Sequence, residues 1–202
     1  DDAGFDSTGK YQAGVTLSGD NLLMLNDLFY VNSNHDLGGG ESGKRGSDGQ
    51  TIHYSFPVGY WLFGLNTSNY DYHQVVSGIN QSYTYSGHSQ NSDIKASRLI
   101  YRNAINKTYL SFRGFFRKSS NYINDTEIEV QRRRTAGWEF GFRQTWYLGQ
   151  SLLDYKLAYK RGTGAMNALK APEETFDEGT SRMEILTADL GFDLPFSVKA
   201  PW

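Results

Sequence analysis

The chain has 202 residues and a formal net charge of −2 at pH 7. That length suits one ordinary domain or one sizeable barrel, and the charge gives no global field arguing for nucleic acid or an acidic substrate. Cysteine is absent, which excludes a disulfide scaffold and thiolate metal sites, and no run of about 18 apolar residues exists to form a transmembrane helix.

The residue balance is more telling than the charge. Aromatic residues are heavily used, glycine is plentiful and proline scarce. A membrane β-barrel produces this combination, because only alternate residues meet lipid and aromatics gather at both interfaces. A secreted soluble β-sandwich produces it too.

Along the chain, apolar residues recur with a period of two, the mark of a strand with unlike faces. Tyr11, Ala13, Val15 and Leu17 alternate with Gln12, Gly14, Thr16 and Ser18. Trp61, Phe63 and Leu65 alternate with Gly64 and Asn66. Leu110, Phe112 and Phe116 alternate with Ser111, Arg113 and Arg117, although Phe115 interrupts the polar set. Leu153, Tyr155, Leu157 and Tyr159 alternate with Asp154, Lys156, Ala158 and Lys160. Leu186, Ala188, Leu190, Phe192, Leu194 and Phe196 alternate with Thr187, Asp189, Gly191 and Asp193. The strands near Phe29 and Ile94 show no clean pattern, and their faces stay unassigned.

The longest pattern is EIEVQRRRTAGWEFGFRQTW, residues 127–146. Ile128, Val130, Ala136, Trp138, Phe140 and Phe142 fall on one parity, and the other holds no large apolar residue. As one strand it would run roughly 60 Å at about 3.3 Å per residue. Soluble strands average about 5–6 residues, so this length favours a membrane barrel over a sandwich. Arg132 and Arg134 lie on the apolar parity and are expected above the bilayer, since an outward arginine at the midplane costs about 2–4 kcal/mol.

Short connections are expected at Gly19-Asp20-Asn21, Val58-Gly59-Tyr60, residues 103–106 and Leu148-Gly149-Gln150. Long polar ones are expected over residues 33–50, 76–91, 118–125 and 161–182. Short turns at one rim and long loops at the other describe an outer-membrane barrel.

Three other constellations carry less. The run Gly38-Gly39-Gly40-Glu41-Ser42-Gly43-Lys44 lacks the following Ser or Thr and the helix that a phosphate loop needs, so it reads as a hairpin loop. His35, His53, His73 and His88 lack the paired spacing of a zinc site, and His88, beside Ser89, reads as a solvated loop residue. Glu173, Glu174, Asp177 and Glu178 lack the ligand alternation of a calcium loop and read as a solvated, like-charged loop. No catalytic residue, metal ligand or cofactor is assigned.

What remains is the polar parity itself. Arg113, Arg117, Arg133, Glu139, Arg143, Asp154, Lys156, Asp189 and Asp193 all lie opposite the apolar side. In a large barrel they line the lumen, while Trp138, Phe140, Phe142, Leu190 and Phe192 face lipid. Mixed sign argues against a simple ion-selective channel, whereas a conduit for a polypeptide tolerates it. In a sandwich the same residues are only the solvated face.

The run NYINDTEIEVQRRRTAGWEFG, with YKRGTGAMNALKAPEETFDEGTSR after it, closely resembles the barrel of two-partner secretion transporters (TpsB, the haemolysin secretion/activation type). The earlier pieces STGKYQAGVTLSGDN, LND, YSFPVGYW and SNYDYHQVVSG resemble the same family in the same order. The resemblance implies an all-β, antiparallel outer-membrane barrel of roughly 16 strands, of which about ten are countable here. It also implies a signal, a plug helix and two POTRA domains before Asp1, and further strands and a pore-entering loop after Trp202. No gating arginine is assigned, because that loop's motif is not in the chain.

Such transporters export a large secreted TpsA-type exoprotein, a haemolysin, adhesin or contact-dependent inhibition toxin, without nucleotide hydrolysis. The implied surroundings are the lipid and lipopolysaccharide of a Gram-negative outer membrane, with no nucleic acid. A non-secretory outer-membrane channel and a soluble β-sandwich binding module are the alternatives left open.

Overall fold

The computed structural model describes residues 11–39, 45–79 and 81–196. The strands are β1 (Tyr11–Asp20), β2 (Leu28–Gly38), β3 (Gly46–Val58), β4 (Trp61–Ser77), β5 (Ser82–Arg102), β6 (Asn106–Ile123), β7 (Thr126–Glu127), β8 (Arg133–Leu148), β9 (Ser151–Thr163) and β10 (Glu184–Asp193). They form one antiparallel sheet in the order β1-β2-β3-β4-β5-β6-β8-β9-β10, with the short β7 paired only to β6. The sheet does not close, so β1 and β10 are its two edges.

Register is kept almost without fault. Among the described residues, breaks occur only at Tyr11/Gln12 and at Leu99/Tyr101. Because the side-chain period is two, an unbroken register keeps each parity on one face from strand to strand. The apolar parities of all the long strands therefore merge into one surface. On it Phe112 stacks on Trp138, which meets Tyr159, and Phe142 meets Tyr155. Phe56, Phe63 and Trp61 form a second cluster. Phe29 and Ile94 join this face through their partners Tyr54 and Leu65.

No second layer formed by the described residues covers the apolar face. Among the described residues only Phe115 and Ala136 are buried hydrophobics, while Val15, Leu17, Phe112, Phe140, Leu186, Leu190 and Phe192 are exposed. A sandwich would hide such residues between two sheets. This sheet presents them outward, as a barrel does to lipid.

Three expectations need correction. Residues 127–146 are not one strand. Glu127 ends β7, a 3-10 turn occupies Glu129–Gln131, and β8 begins at Arg133. Arg132 clamps the excursion with two 2.6 Å bonds to Glu127, a bidentate pair of the strong kind. The longest strand is instead β5, of 21 residues. Three of the four expected long loops are also shorter than read, because strands continue through them: the gaps are residues 39–45, 78–81 and 124–125. Beyond the lipid band both faces of a strand can be polar, so the period of two fades while the hydrogen-bonded ladder continues. Finally, Gly19 and Asp20 belong to β1, and the first turn runs from Asn21 to Asp27. The expected short turns after Val58, Arg102 and Leu148, and the long loop after Thr163, are as read. Most of the Gly38–Lys44 run lies outside the described residues.

Phe115, the aromatic that interrupts the polar parity, is explained by its partner. It sits opposite Gly137 on β8, and Lys160 Nζ lies 4.7 Å from its ring centroid. Glycine is needed there because a Cβ would collide with the Arg161 carbonyl and lie 2.7 Å from Phe115 Cζ. Replacing Gly137 by alanine should therefore destabilise the folded sheet by about 1–3 kcal/mol, the usual range for overpacking. Earlier loss of the folded, heat-modifiable band on semi-native gels would register it; unchanged thermal behaviour would contradict the packing described.

Candidate functional site

The polar face is built by the register of β6, β8 and β9. Arg113 stands opposite Glu139, and Glu139 opposite Lys160. Arg113 Nη2 donates to Glu139 Oε2 at 2.7 Å, with both side chains about three-quarters buried. Nearer the short-turn rim, Arg143 Nε and Thr145 Oγ1 donate to Asp154 Oδ1 at 2.8 and 2.7 Å. Lys156 Nζ reaches the other Asp154 oxygen at 3.8 Å, and its partner on β10 is Asp189. Toward the opposite rim Arg117 pairs in register with Thr135. All nine residues expected on the polar parity share this one face, and Asp193 closes the set opposite Leu152.

Sequence reasoning missed part of it. Lys95 lies opposite Arg113, and Asp93 opposite Phe115. Their strand has polar residues on both parities, so only pairing with β6 identifies their face. Lys160 lay within a recognised alternation, yet its place between Glu139 and Phe115 emerges only from the ladder. Further round, on β1 to β4, the same face carries few charges. Asn32 Nδ2 donates to Thr16 Oγ1 at 2.8 Å, and Asn34 Nδ2 to Asn32 Oδ1 at 2.9 Å. Tyr30 stacks on His53 at 4.9 Å. The face is thus densely charged at one end of the sheet and sparsely charged but hydrogen-bonding at the other.

It is also the concave face. One cavity of about 610 Å³ is lined by His53, Asn66, Lys95, Tyr109, Arg143 and Leu152 among others, residues drawn from six successive long strands. Strands that far apart in the sheet share a cavity only if the sheet curls toward this side.

The last long loop folds back on the polar face. Glu173 pairs with Arg133, and the Leu169 amide donates to the Arg134 carbonyl at 2.8 Å. Glu174 organises the loop: its Oε1 accepts from the amides of Ser181 and Ala171 at 2.9 and 3.2 Å and from the Thr180 and Ser181 hydroxyls. The Ser181 amide bond, helped by the others against partial desolvation, holds the Glu174 carboxyl down at about 2. This corrects the reading of a purely solvated acidic loop. Asp177 and Glu178 do stay exposed. Across the rim the hydrogen bond from Arg132 holds Glu127 below the ordinary carboxylate value.

The opposite face carries Trp138, Phe140, Phe142, Leu190 and Phe192, as the alternation requires. His88 is not on a loop. It lies in β5 on this face and pairs with Asp71 at 2.6 Å, as His35 in β2 pairs with Asp48. Among the described residues no group of His, Cys, Asp or Glu is arranged to hold a metal.

Residues 1–202 match the family profile of the haemolysin secretion/activation proteins ShlB/FhaC/HecB. The chain is similar to the outer membrane transporter CdiB-2 of Burkholderia pseudomallei strain 1026b, 31% identical over 198 residues that are 98% of this chain and 34% of that protein. It is also similar to the outer membrane transporter CdiB of Dickeya dadantii strain 3937, 23% identical over 98% of this chain and 35% of that one. Among solved structures, CdiB from Escherichia coli covers 95% of the chain at a TM-score of 0.86 and 21% identity, using 35% of its own length. CdiB from Acinetobacter baumannii covers 93% at 0.75 and 28% identity, using 32% of its length. The chain spans about a third of the relatives it matches. The structural likeness establishes the fold, an antiparallel barrel wall.

Two outcomes follow from the geometry. Glu139→Gln leaves Arg113 and Lys160 facing each other without a carboxylate. The pair is half-screened, so unfolding in urea should show a loss of about 1–3 kcal/mol, between exposed and buried pairs. No loss would mean the pair is solvated in practice. Because the Glu174 carboxyl is depressed from 4.5 to about 2, its contribution is full above about pH 4.5 and vanishes as pH falls through about 2. Protection of the Ser181 and Ala171 amides, taken relative to free-peptide exchange at the same pH, should fall across that window, and Glu174→Gln should show low protection at every pH.

Proposed function

Because this chain belongs to the haemolysin secretion/activation protein family (ShlB/FhaC/HecB), we propose that it forms part of the wall of an outer-membrane conduit for a secreted protein. The observation that carries the reading is the ion-paired concave face. Arg113, Arg117, Arg133, Glu139, Arg143, Asp154, Lys156, Asp189 and Asp193 line the lumen in this reading, and Trp138, Phe140, Phe142, Leu190 and Phe192 face lipid. Lipid solvates no backbone group, so β1 and β10 need further strands between them to close the barrel.

The cargo is a large TpsA-type exoprotein of the haemolysin, adhesin or contact-dependent inhibition class. It passes in extended form without nucleotide hydrolysis and folds on the far side. The lining suits such cargo for an electrostatic reason. Guanidinium and ammonium groups neutralised by neighbouring carboxylates offer hydrogen bonds to a passing chain while presenting little net field. A strong field of one sign would hold segments of opposite charge and repel the rest.

The test is a cysteine pair, Glu139→Cys and Phe140→Cys, in the intact protein in membranes. A water-soluble thiol reagent should label position 139, and a lipid-dissolved reagent position 140. The reverse pattern would refute the assignment of faces. Replacing Glu139 and Asp154 together by lysine should lower export of the partner severalfold while the barrel still inserts; unchanged export would count against a translocation role for this face.

A further inference from the structure

The turn from Asn21 to Asp27 is the longest of the four on its rim and the least expected in composition. Leu22, Leu23, Met24 and Leu25 stand in succession, exposed by 58%, 64%, 89% and 48%. Nothing about closing β1 onto β2 calls for four apolar residues. The neighbouring turns close with Gly59-Tyr60 and Gly149-Gln150.

The backbone explains how the residues are held outward. Asp27 is almost wholly buried, and its Oδ1 accepts from the Leu23 and Leu25 amides at 3.1 and 3.3 Å. The Asn21 amide donates to the Asp27 carbonyl at 2.6 Å, and Asn21 Oδ1 accepts from the Asn26 amide at 2.9 Å. Asn21, Met24 and Asn26 adopt positive φ near +55°. Asparagine tolerates that region, but methionine seldom enters it. The amides of Asn21, Leu23, Met24, Leu25 and Asn26 are thus taken up inside the turn, and its apolar side chains form the outer surface. With those donors met internally, and its remaining carbonyls free to meet water and headgroups, the turn suits the interfacial zone rather than the hydrocarbon core.

Position says which phase. Leu22 packs over Gly19, where a Cβ would meet its Cδ2 at 2.9 Å. Gly19 shares the parity of Val15 and Leu17, so the turn continues the apolar face rather than the concave one. Along the same rim Tyr60, Ile105 and Leu148 each expose one apolar side chain, the level at which a barrel's apolar band meets headgroups.

We propose that Leu22, Leu23, Met24 and Leu25 form an interfacial anchor that dips into the phospholipid leaflet at the short-turn rim, fixing the height of β1 in the membrane. The anchor rests on the reading of the apolar face as the lipid face.

An environment-sensitive fluorophore on Met24→Cys, in the intact protein in phosphatidylethanolamine–phosphatidylglycerol vesicles, tests it. Met24 is the most exposed of the four, so the label should not disturb folding; the same label on Phe140→Cys reports the lipid face independently. The expected result is a blue-shifted Met24 probe, quenched more strongly by headgroup-proximal spin-labelled lipid than by lipid labelled deep in the chain. A water-like, unquenched Met24 probe beside a quenched Phe140 probe overturns the anchor alone. A blue-shifted but unquenched Met24 probe means that protein covers the turn, and overturns it too. An unquenched Phe140 probe overturns the face reading and the anchor with it.

Discussion

Everything in this structure depends on an uninterrupted ladder between neighbouring strands. A sheet exposed to lipid has no water to accept stray amides and carbonyls, so each strand must satisfy the next along its whole crossing. Continuous pairing has a geometric consequence. With a period of two and only two register breaks among the described residues, each residue's face follows from its neighbour's. The two unlike surfaces are the result of one backbone constraint.

The charged surface then becomes intelligible as a cross-strand construction. Arg113, Glu139 and Lys160 come from three strands and are widely separated in sequence, yet the ladder sets them side by side. Opposite charges in direct register stabilise the pairing that brings them together. Phe115 fits the same scheme. Gly137 leaves it room, and Lys160 and Arg113 flank its ring, so an apolar residue on a polar face is shielded by cations rather than left to water.

The two rims solve different problems. On the long-loop side, carboxylates take up amides and guanidinium groups: Glu174 within its loop, Glu173 across to Arg133, Glu127 across to Arg132. On the short-turn side, Asp27 takes up the amides of its own turn and leaves leucines outside. A carboxylate orders the backbone in both places, half-buried in Glu174 and almost wholly buried in Asp27. What it turns outward differs: polar groups at one rim, apolar ones at the other.

Much of this was legible in the residues alone. Alternation around Trp138, Leu157 and Leu190 gave the strands, their faces and the barrel class, because burial of one side against lipid imposes period two wherever lipid is present. It failed at residues 33–50 and 76–91, where strands continue past the apolar band and both faces meet polar surroundings. It failed again at Arg132, where a side-chain clamp ends one strand and starts another within an unbroken pattern. The sequence by itself determined which side of each lipid-band strand is apolar, since that depends only on neighbours along the chain. The partners were decided only by the tertiary structure: Lys160 beside Glu139, Lys95 beside Arg113, Glu173 on Arg133, Leu22 over Gly19. Those contacts depend on register and on the curl of the sheet, which no local pattern encodes.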